Sequence, residues 1–215
     1  MSSVTEKKAE RIPAAERREQ ILQAAARVFG ARGYAGATTD LVAQEAGISQ
    51  PYVVRMFGGK DNLLVAVLER ARSRILSTFR QVLADALRED GKAELAPRLA
   101  LAYVDLIEDD TIQMALMQGF LLGHHPVIGP CARQGFTDIY RLLRDEAGFG
   151  PTLARDFLAQ GMLINTLLAL RMPAEHDADP TARELVQQCF GHKTELVLRA
   201  TAAQSAREAG AAAGD

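Results

Sequence analysis

Long apolar runs are missing from this 215-residue sequence, and cysteine is scarce. No stretch of about 18 consecutive apolar residues occurs, which argues against a membrane-spanning helix. The segment from Met1 to Ala15 is polar and charged, so we expect no secretory signal. The two cysteines, Cys131 and Cys189, form no disulfide pattern and are expected to remain thiols in a reducing compartment. These absences predict a cytoplasmic protein.

Runs of β-branched and aromatic residues are also few, and aromatic residues make up 6% of the chain. Alanine, leucine and arginine are prominent, and the 48% hydrophobic and 24% charged content is typical of a globular protein. We therefore predict an all-α fold. The length permits either one large helical domain or a small domain joined to a larger one.

The formal net charge of −2 conceals an uneven distribution along the chain. Residues 1–80 hold 13 Lys and Arg against 8 Asp and Glu, whereas the remainder holds 12 against 19. Clustered positive charge attracts phosphates, and the acidic remainder would face away from DNA. Chance clustering of solvated charges is the alternative.

Residues 38–57 have the pattern of two short helices around a tight turn. A threonine pair begins the segment and can cap the first helix. Gly47 permits the sharp turn, Ser49 suits the cap of the second helix, and Pro51 is tolerated in its first turn. The spacing predicts a helix-turn-helix.

The second of these helices is expected to be about two turns long. Val53 and Phe57 are candidates for its inward face, whereas Gln50, Tyr52 and Arg55 point outward. A helix this short has too little apolar surface to be stable alone. Its pattern is typical of a recognition helix, which lies in the major groove of DNA.

The rest of the chain has the pattern of further helices. An apolar stripe over about 14–32 ends at Gly33, and a long helix beginning near Asp61 is a natural bridge to the C-terminal part of the chain. Breaks then separate helices expected over about 97–107, 111–123, 129–147, 151–171 and 180–201. The predicted segments are a flexible arm (1–13), a helix-turn-helix domain (14–75), a helical regulatory and dimerisation domain (76–203) and a disordered tail (204–215).

At the N-terminus, many positions together resemble the DNA-binding domain of the TetR family of transcriptional regulators. These positions are Arg18, Ile21, Leu22, Ala24, Ala25, Phe29, Gly33, Tyr34, Thr38, Thr39, Val42, Ala43, Ala46, Gly47, Ile48, Ser49, Phe57, Lys60 and Leu63. The bridging helix and the helical remainder match the family's layout. The resemblance implies a homodimer that binds a palindromic operator, most often as a repressor, with a ligand pocket in the C-terminal domain.

By the same resemblance, six residues fall where family members commonly contact DNA: Thr39, Ser49, Gln50, Tyr52, Arg55 and Lys60. One departure is Val54, where the family usually has a tyrosine that contacts a phosphate; Tyr52 and Arg55 can take over that contact. By side-chain chemistry, Gln50 can pair with an adenine edge and Arg55 with guanine or phosphate. Lys60, at a helix start, suits a phosphate. For each residue the alternative is a solvated surface position.

The central helices of the C-terminal part carry large apolar side chains with polar residues among them. Such a mixture is typical of a small-molecule site. The candidate ligand-binding residues are Met114, Gln118, Phe120, His124, Phe136, Tyr140, Met162 and Asn165. Plain core is the alternative for each apolar residue, and the two amides, which need partners inside a bundle, could equally face a dimer partner or solvent. The expected effector is small and apolar or amphipathic.

Two groups of residues invite a metal interpretation. His124 and His125 precede Cys131, and Cys189 and His192 share a helical face, but neither group supplies closely spaced ligands in sufficient number. We predict neither metal nor cofactor. The sequence also has no glycine-rich phosphate loop and no nucleophile motif, so we do not expect an enzyme.

The last two long helices, over 151–171 and 180–201, are candidates for the dimer interface. Their apolar surface is expected from Leu163, Leu167, Leu170, Leu185, Cys189, Leu196 and Leu198. Two helices from each subunit would form a four-helix bundle. The predicted function is a dimeric, ligand-responsive repressor. The alternatives are a DNA-binding dimer without an effector, and a helical interaction module that has lost DNA binding, for which Val54 is the support.

Overall fold

The computed structural model describes residues 13–88, 94–107 and 110–212. These residues form α-helices joined by short turns, and no β-strand occurs among them. The all-α prediction is therefore confirmed. The predicted N-terminal arm lies outside the described residues except for Pro13.

Three helices form the N-terminal part: α1 (Ala14–Gly36), α2 (Thr39–Glu45) and α3 (Gln50–Phe57). Helix α1 is interrupted at Gly33, whose φ of 64° lies in the left-handed region that glycine adopts without strain. The regular part of α1 thus ends where the sequence predicts.

Local side chains explain how the next two helices begin and end. The Thr38 hydroxyl accepts a hydrogen bond from the Leu41 amide at 3.1 Å and so caps α2. Gly47 turns the chain with a φ of 64°, and Gly58 ends α3 in a left-handed conformation. Ser49 precedes α3 as predicted, but its side chain makes no capping hydrogen bond.

Helix α4 (Lys60–Arg88) is 29 residues long and runs from the helix-turn-helix into the C-terminal part. Leu64, Ile75 and Phe79 on its inner face are almost completely buried. Burying a large apolar side chain of this kind contributes about 1.5–3 kcal/mol. The bridging helix is confirmed, and its packing along both parts holds them together.

Six helices follow: α5 (Leu95–Leu106), α6 (Asp110–Leu121), α7 (Ile128–Arg141), α8 (Pro151–Ala169), α9 (Pro180–Phe190) and α10 (Thr194–Ala212). Helix α7 continues into a π-helical turn, Leu142–Glu146. The single helix expected over 180–201 is a wrong prediction, because Gly191 takes a φ of 52° and separates α9 from α10.

The predicted disordered tail also needs correction. Helix α10 continues to Ala212, and only 213–215 lie outside the described residues at this end. Alanine has the highest helix propensity of all residues, so an alanine-rich segment can extend a helix without burying much surface.

One hydrophobic core extends through both parts of the chain, from Phe29 in α1 through Phe79 in α4 to Ile112 in α6 and Leu142 after α7. Helix α6 packs along α1, so the N-terminal part contacts the C-terminal part beyond α4. No helix in the described part of the chain is long and apolar enough to cross a membrane.

Candidate nucleic-acid interface and effector cavity

Helix α3 presents one face to the core and the other to solvent. Val53 is 0% exposed and Phe57 is 9% exposed, which confirms the predicted inward face. Arg55 and Val54 are exposed on the opposite side. The outward face of α3 is therefore free to enter a groove.

Two of the candidate DNA-contacting residues are joined to each other across the turn. The Nε2 atom of Gln50, at the start of α3, donates a hydrogen bond to the Thr39 hydroxyl, at the start of α2, over 3.1 Å. This bond restricts the rotation of the Gln50 amide. Ser49, immediately before, is exposed.

Tyr52 and Arg55 form a second pair on α3. The Arg55 guanidinium carbon lies 5.0 Å from the centre of the Tyr52 ring, within the range of a cation–π contact. Tyr52 is half-buried and packs partly against the core, so it points outward less than the sequence predicts. The tyrosine ring supports the exposed arginine.

The outward face of α3 also carries apolar surface that the sequence prediction missed. Pro51 and Val54 are both exposed there, and Val54 is 36% exposed. Apolar side chains in the major groove can contact the methyl group of thymine. The position where the resemblance leads one to expect a tyrosine thus offers an apolar contact.

Lys60 lies at the start of α4, but its side chain turns inward. Its Nζ donates to the Tyr34 carbonyl oxygen over 3.1 Å and lies 4.3 Å from the centre of the Tyr34 ring. The free surface cation expected from the sequence is therefore half-buried and partly engaged. The other N–H groups of the Lys60 ammonium can still donate to a phosphate.

Tyr34 is the centre of a polar junction between the two parts of the chain. Its hydroxyl donates a hydrogen bond to Asp61 of α4, and the Nε2 atom of His125 lies 3.5 Å from the same hydroxyl oxygen. The His125 ring meets the Tyr34 ring edge-on at 5.5 Å. Burial, followed by the nearby Asp61, raises the pKa of Tyr34 to about 12.

Helix α6 also contacts this junction, through Gln118. The Tyr34 backbone N–H donates to Oε1 of Gln118 over 3.2 Å. Gln118, a candidate for the ligand site, thus bonds to the N-terminal part. Met114, one turn earlier, packs beside Gly30 of α1.

The sequence prediction missed this junction because its members are far apart in the chain. Tyr34 stands beside a helix break and Asp61 in the first turn of a helix. Each position alone has a sufficient local explanation. Only the packing of α6 on α1 brings them together with Gln118 and His125.

A mainly apolar cavity lies between α4, α5, α6, α7 and α8. Its volume is about 70 Å³, counted as the space that the centre of a water molecule can occupy. Of the candidate ligand-binding residues, Phe120, Phe136, Met162 and Asn165 line it. The other candidates, Met114, Gln118, His124 and Tyr140, are not among its lining residues. Aromatic side chains of the lining that were absent from the candidate set are Phe79, Tyr103 and Phe157.

Asn165 is the buried polar group of this cavity, with 3% exposure. Its Oδ1 accepts a hydrogen bond from the Tyr103 hydroxyl at 2.9 Å, and its backbone oxygen accepts one from Gln113 at 3.1 Å. Burial raises the pKa of Tyr103 to about 12. The Asn165 Nδ2 remains as a hydrogen-bond donor for a ligand.

Arg72 is the one charged side chain among the described lining residues, and it is paired. Its Nη1 lies 3.2 Å from an Asp138 carboxylate oxygen. The lining includes no carboxylate of its own. The cavity therefore has no group to neutralise a buried cation.

The histidines and cysteines do not assemble into a metal site. Among the described residues, no group of three or more His, Cys, Asp or Glu side chains is suitably arranged to hold a metal ion. His125 Nδ1 instead faces the amides of Val127 and Ile128 at 3.3 and 3.4 Å. Burial raises the pKa of the Cys131 thiol.

Comparison with known sequences identifies the N-terminal part. The sequence model of "Bacterial regulatory proteins, tetR family" matches residues 21–67. A transcriptional activator from Mycolicibacterium smegmatis, FasR, is 39% identical over 101 residues, which are 47% of this chain and 45% of that protein. The regulator HbdR from Aromatoleum is 36% identical over 66 residues, 31% of this chain and 27% of that protein. The match thus spans less than half the length of either relative.

Solved structures match nearly the whole fold. A TetR-family member from Streptomyces coelicolor is 26% identical, with a TM-score of 0.58 over 86% of this chain and 98% of that one. The multidrug-binding protein EbrR, complexed with imidazole, is 27% identical, with a TM-score of 0.53 over 85% and 95%. A putative transcriptional regulator from Pseudomonas aeruginosa shares the fold at 19% identity and a TM-score of 0.59, over 92% and 98%. The relatives with named functions are regulators and binding proteins rather than enzymes.

Proposed function

We propose that this chain is a TetR-family regulator, namely a homodimeric, ligand-responsive repressor of the cytoplasm that binds a palindromic operator. The observation that carries the proposal is the exposed face of α3, on which Gln50 and Arg55 are each held by a neighbouring side chain. Preorganised polar side chains on an exposed helix lose little conformational freedom when they bind DNA.

In this proposal α3 enters the major groove. Gln50 reads an adenine edge, and Arg55 contacts guanine or a phosphate. Ser49 and Lys60, near the two ends of α3, contact phosphates and fix its register. Tyr52 acts through the ring that supports Arg55.

The homodimer is proposed to form through α8 and α9. Of the leucines expected at this interface, three remain exposed in the single chain: Leu163 (40%), Leu170 (65%) and Leu185 (38%). Pairing these faces would bury them in a four-helix bundle between subunits. A two-fold axis at the bundle would place the two α3 helices about 34–36 Å apart, one turn of DNA, which is why the operator is proposed to be palindromic.

The effector is proposed to bind in the cavity beside α6. The lining favours an apolar body with one hydrogen-bond acceptor placed against the Asn165 Nδ2, and the missing carboxylate disfavours a cation. EbrR, a structural relative, is a multidrug-binding protein seen with imidazole, which supports ligand binding in this fold. The cavity also argues against a DNA-binding dimer whose C-terminal part only dimerises.

Helix α6 offers a route from the cavity to α3. Leu116 and Phe120 line the cavity, whereas Gln118 on the same helix bonds to Tyr34. A ligand that displaces α6 would disturb Tyr34 and, through Asp61, the start of α4. The ligand must bind the two conformations with different affinities, since equal affinity shifts no equilibrium.

Activation of transcription is a second candidate, because the matched relative FasR is an activator. The two candidates differ in where the operator lies. A dimer bound across the promoter would block polymerase, whereas an activator must bind beside it.

The test is selection of bound duplexes from a random DNA pool by the purified protein, followed by titration of the selected sequence at two salt concentrations. We expect a palindromic sequence and affinity that falls steeply with salt. In vitro transcription from a natural promoter containing that sequence would then distinguish repression from activation. Absence of any enrichment over random DNA would refute the proposal.

A further inference from the structure

The hydrogen bond between Gln50 and Thr39 links the starts of the two helices of the helix-turn-helix. Gln50 Nε2 donates to the Thr39 Oγ1 over 3.1 Å, and both residues are half-buried. Glutamine has several freely rotating bonds and loses much side-chain freedom when it is fixed. In this chain that freedom is already restricted before any DNA is bound.

The bond leaves a particular set of groups available on the Gln50 amide. One N–H of Nε2 is used by Thr39, so the second N–H and the Oε1 oxygen remain free to bind. A donor beside an acceptor on one amide matches the N7 acceptor and N6 donor on the major-groove edge of adenine. Pairing with adenine uses Oε1 and the N–H beside it, so the role inferred below requires Thr39 to accept from the other N–H, on the far side of Nε2.

We propose that Thr39 is a positioning residue for base readout, which holds the Gln50 amide in the orientation that pairs with adenine. The inference rests on the proposed DNA-binding function and adds to it a specificity role for a residue otherwise expected only to contact DNA directly. Thr39 acts through Gln50, so its loss reduces selectivity at one base position in each half-site.

The Thr39 hydroxyl keeps its own hydrogen, which can donate to a nearby phosphate. A phosphate contact affects all DNA sequences alike, whereas positioning of Gln50 affects the preference for one base. The two roles therefore differ in what they change: affinity for unrelated DNA in one case, and base preference in the other.

The neighbouring Thr38 provides a matched control. Its hydroxyl caps α2 by accepting from the Leu41 amide at 3.1 Å and has no bond to Gln50. Substituting Thr38→Val removes a helix cap, whereas Thr39→Val removes the partner of Gln50. The two changes are chemically identical and one residue apart.

The experiment is selection from a random duplex pool by the full-length wild type and the variants Thr39→Val, Thr39→Ser, Thr38→Val and Gln50→Ala, with thermal unfolding of each. Wild type should enrich adenine at one symmetric position, and Gln50→Ala should lose that preference. A bidentate pair discriminates between bases by about 5- to 150-fold. Thr39→Val should reduce the adenine preference at least fivefold (about the lower end of that range), and Thr39→Ser should retain it. Thr38→Val should lower the unfolding temperature and leave the preference unchanged.

Several results would overturn the inference while leaving the proposed function standing. These are an adenine preference in Thr39→Val equal to that of wild type, a uniform loss of affinity for selected and unrelated DNA in that variant, or full retention of the preference in Gln50→Ala. If wild type enriches no sequence, the proposed function fails and this inference fails with it.

Discussion

The backbone N–H of Tyr34 donates a hydrogen bond to the Gln118 side chain over 3.2 Å, which joins the DNA-binding part to α6. The Tyr34 hydroxyl meanwhile bonds to Asp61 of α4. One residue thus contacts both helices that lead from the cavity toward α3. A change in the position of either helix alters the surroundings of Tyr34.

Substituting Gln118→Met should loosen this connection, because the methionine sulfur is a weak acceptor for the Tyr34 N–H. A partly buried amide that loses its partner costs about 1 kcal/mol. We expect the urea midpoint to fall accordingly. Gln118→Glu keeps an acceptor oxygen at the same reach and should retain most of the stability. Equal midpoints for Gln118→Met and wild type would show that the bond contributes nothing.

Tyr34→Phe should lower stability at neutral pH, where the Tyr34 hydroxyl bonds to Asp61, and this difference from wild type should shrink at alkaline pH. The pKa of Tyr34 in the folded chain is raised to about 12 from an ordinary value of 10.0. Below pH 10 the Tyr34 hydroxyl is protonated in both the folded and the unfolded chain, so the stabilisation that it provides is fully present. As the pH rises from 10 toward 12 the unfolded chain releases the proton first, so wild-type stability falls.

Tyr103 titrates in the same range, since its pKa is also raised to about 12. Urea midpoints measured between pH 8 and pH 11.5 should therefore fall less steeply in Tyr34→Phe than in wild type, and least in the double variant Tyr34→Phe with Tyr103→Phe. A slope in Tyr34→Phe identical to that of wild type would contradict the raised pKa of Tyr34.

Local signals explain why the helix-turn-helix could be predicted from sequence whereas the cavity could be predicted only in part. The Thr38 cap, the Gly47 turn and the inward pair Val53 and Phe57 each act within a few residues. The cavity depends on how the long helices rotate against one another. Periodicity marks both faces of α6 as apolar and cannot tell Phe120, in the cavity, from Met114, against α1.

Gly161 allows a test of the cavity wall. It lies within α8, and a methyl group added there would be 3.8 Å from the Tyr103 ring, an ordinary contact. Gly161→Ala should raise the free energy of unfolding by about 0.5–1 kcal/mol, since glycine weakens a helix interior. Gly148→Ala is the contrasting control and should be destabilising, because Gly148 has a φ of 71°.

The larger substitution Gly161→Leu should fill part of the cavity. We expect weaker binding of an amphipathic fluorescent probe, the anion 8-anilinonaphthalene-1-sulfonate, in Gly161→Leu than in Gly161→Ala, measured by fluorescence titration. Undiminished probe binding in the leucine variant would mean that the probe binds elsewhere.

The bond between Tyr103 and Asn165 should behave as a coupled pair. Asn165→Leu leaves the buried Tyr103 hydroxyl without its acceptor, and Tyr103→Phe leaves the Asn165 Oδ1 without its donor. Each single change should cost about 1–3 kcal/mol. The double variant should cost less than the sum, because neither group is then left unpaired. Urea unfolding of the four proteins measures the coupling, and strict additivity would argue against it.

Lys60 and Arg55 should differ in what they contribute to DNA binding. Lys60 already bonds to the Tyr34 carbonyl, and its other N–H donors can serve a phosphate. Lys60→Ala should weaken binding to the operator and to random DNA alike, at a cost of about 1 kcal/mol, and should reduce the salt slope by about one. Arg55→Ala should weaken operator binding by about 1–3 kcal/mol and random DNA less, since it removes a base contact.

Titrations of each variant on both duplexes at two salt concentrations separate these roles. Lys60→Arg keeps the positive charge and should restore the salt slope. If Lys60→Ala lowers the urea midpoint and leaves both affinities unchanged, its role is confined to Tyr34. If Arg55→Ala weakens both duplexes equally, Arg55 contacts the phosphates, and the sequence preference of α3 must come from Gln50 together with the apolar surface of Pro51 and Val54.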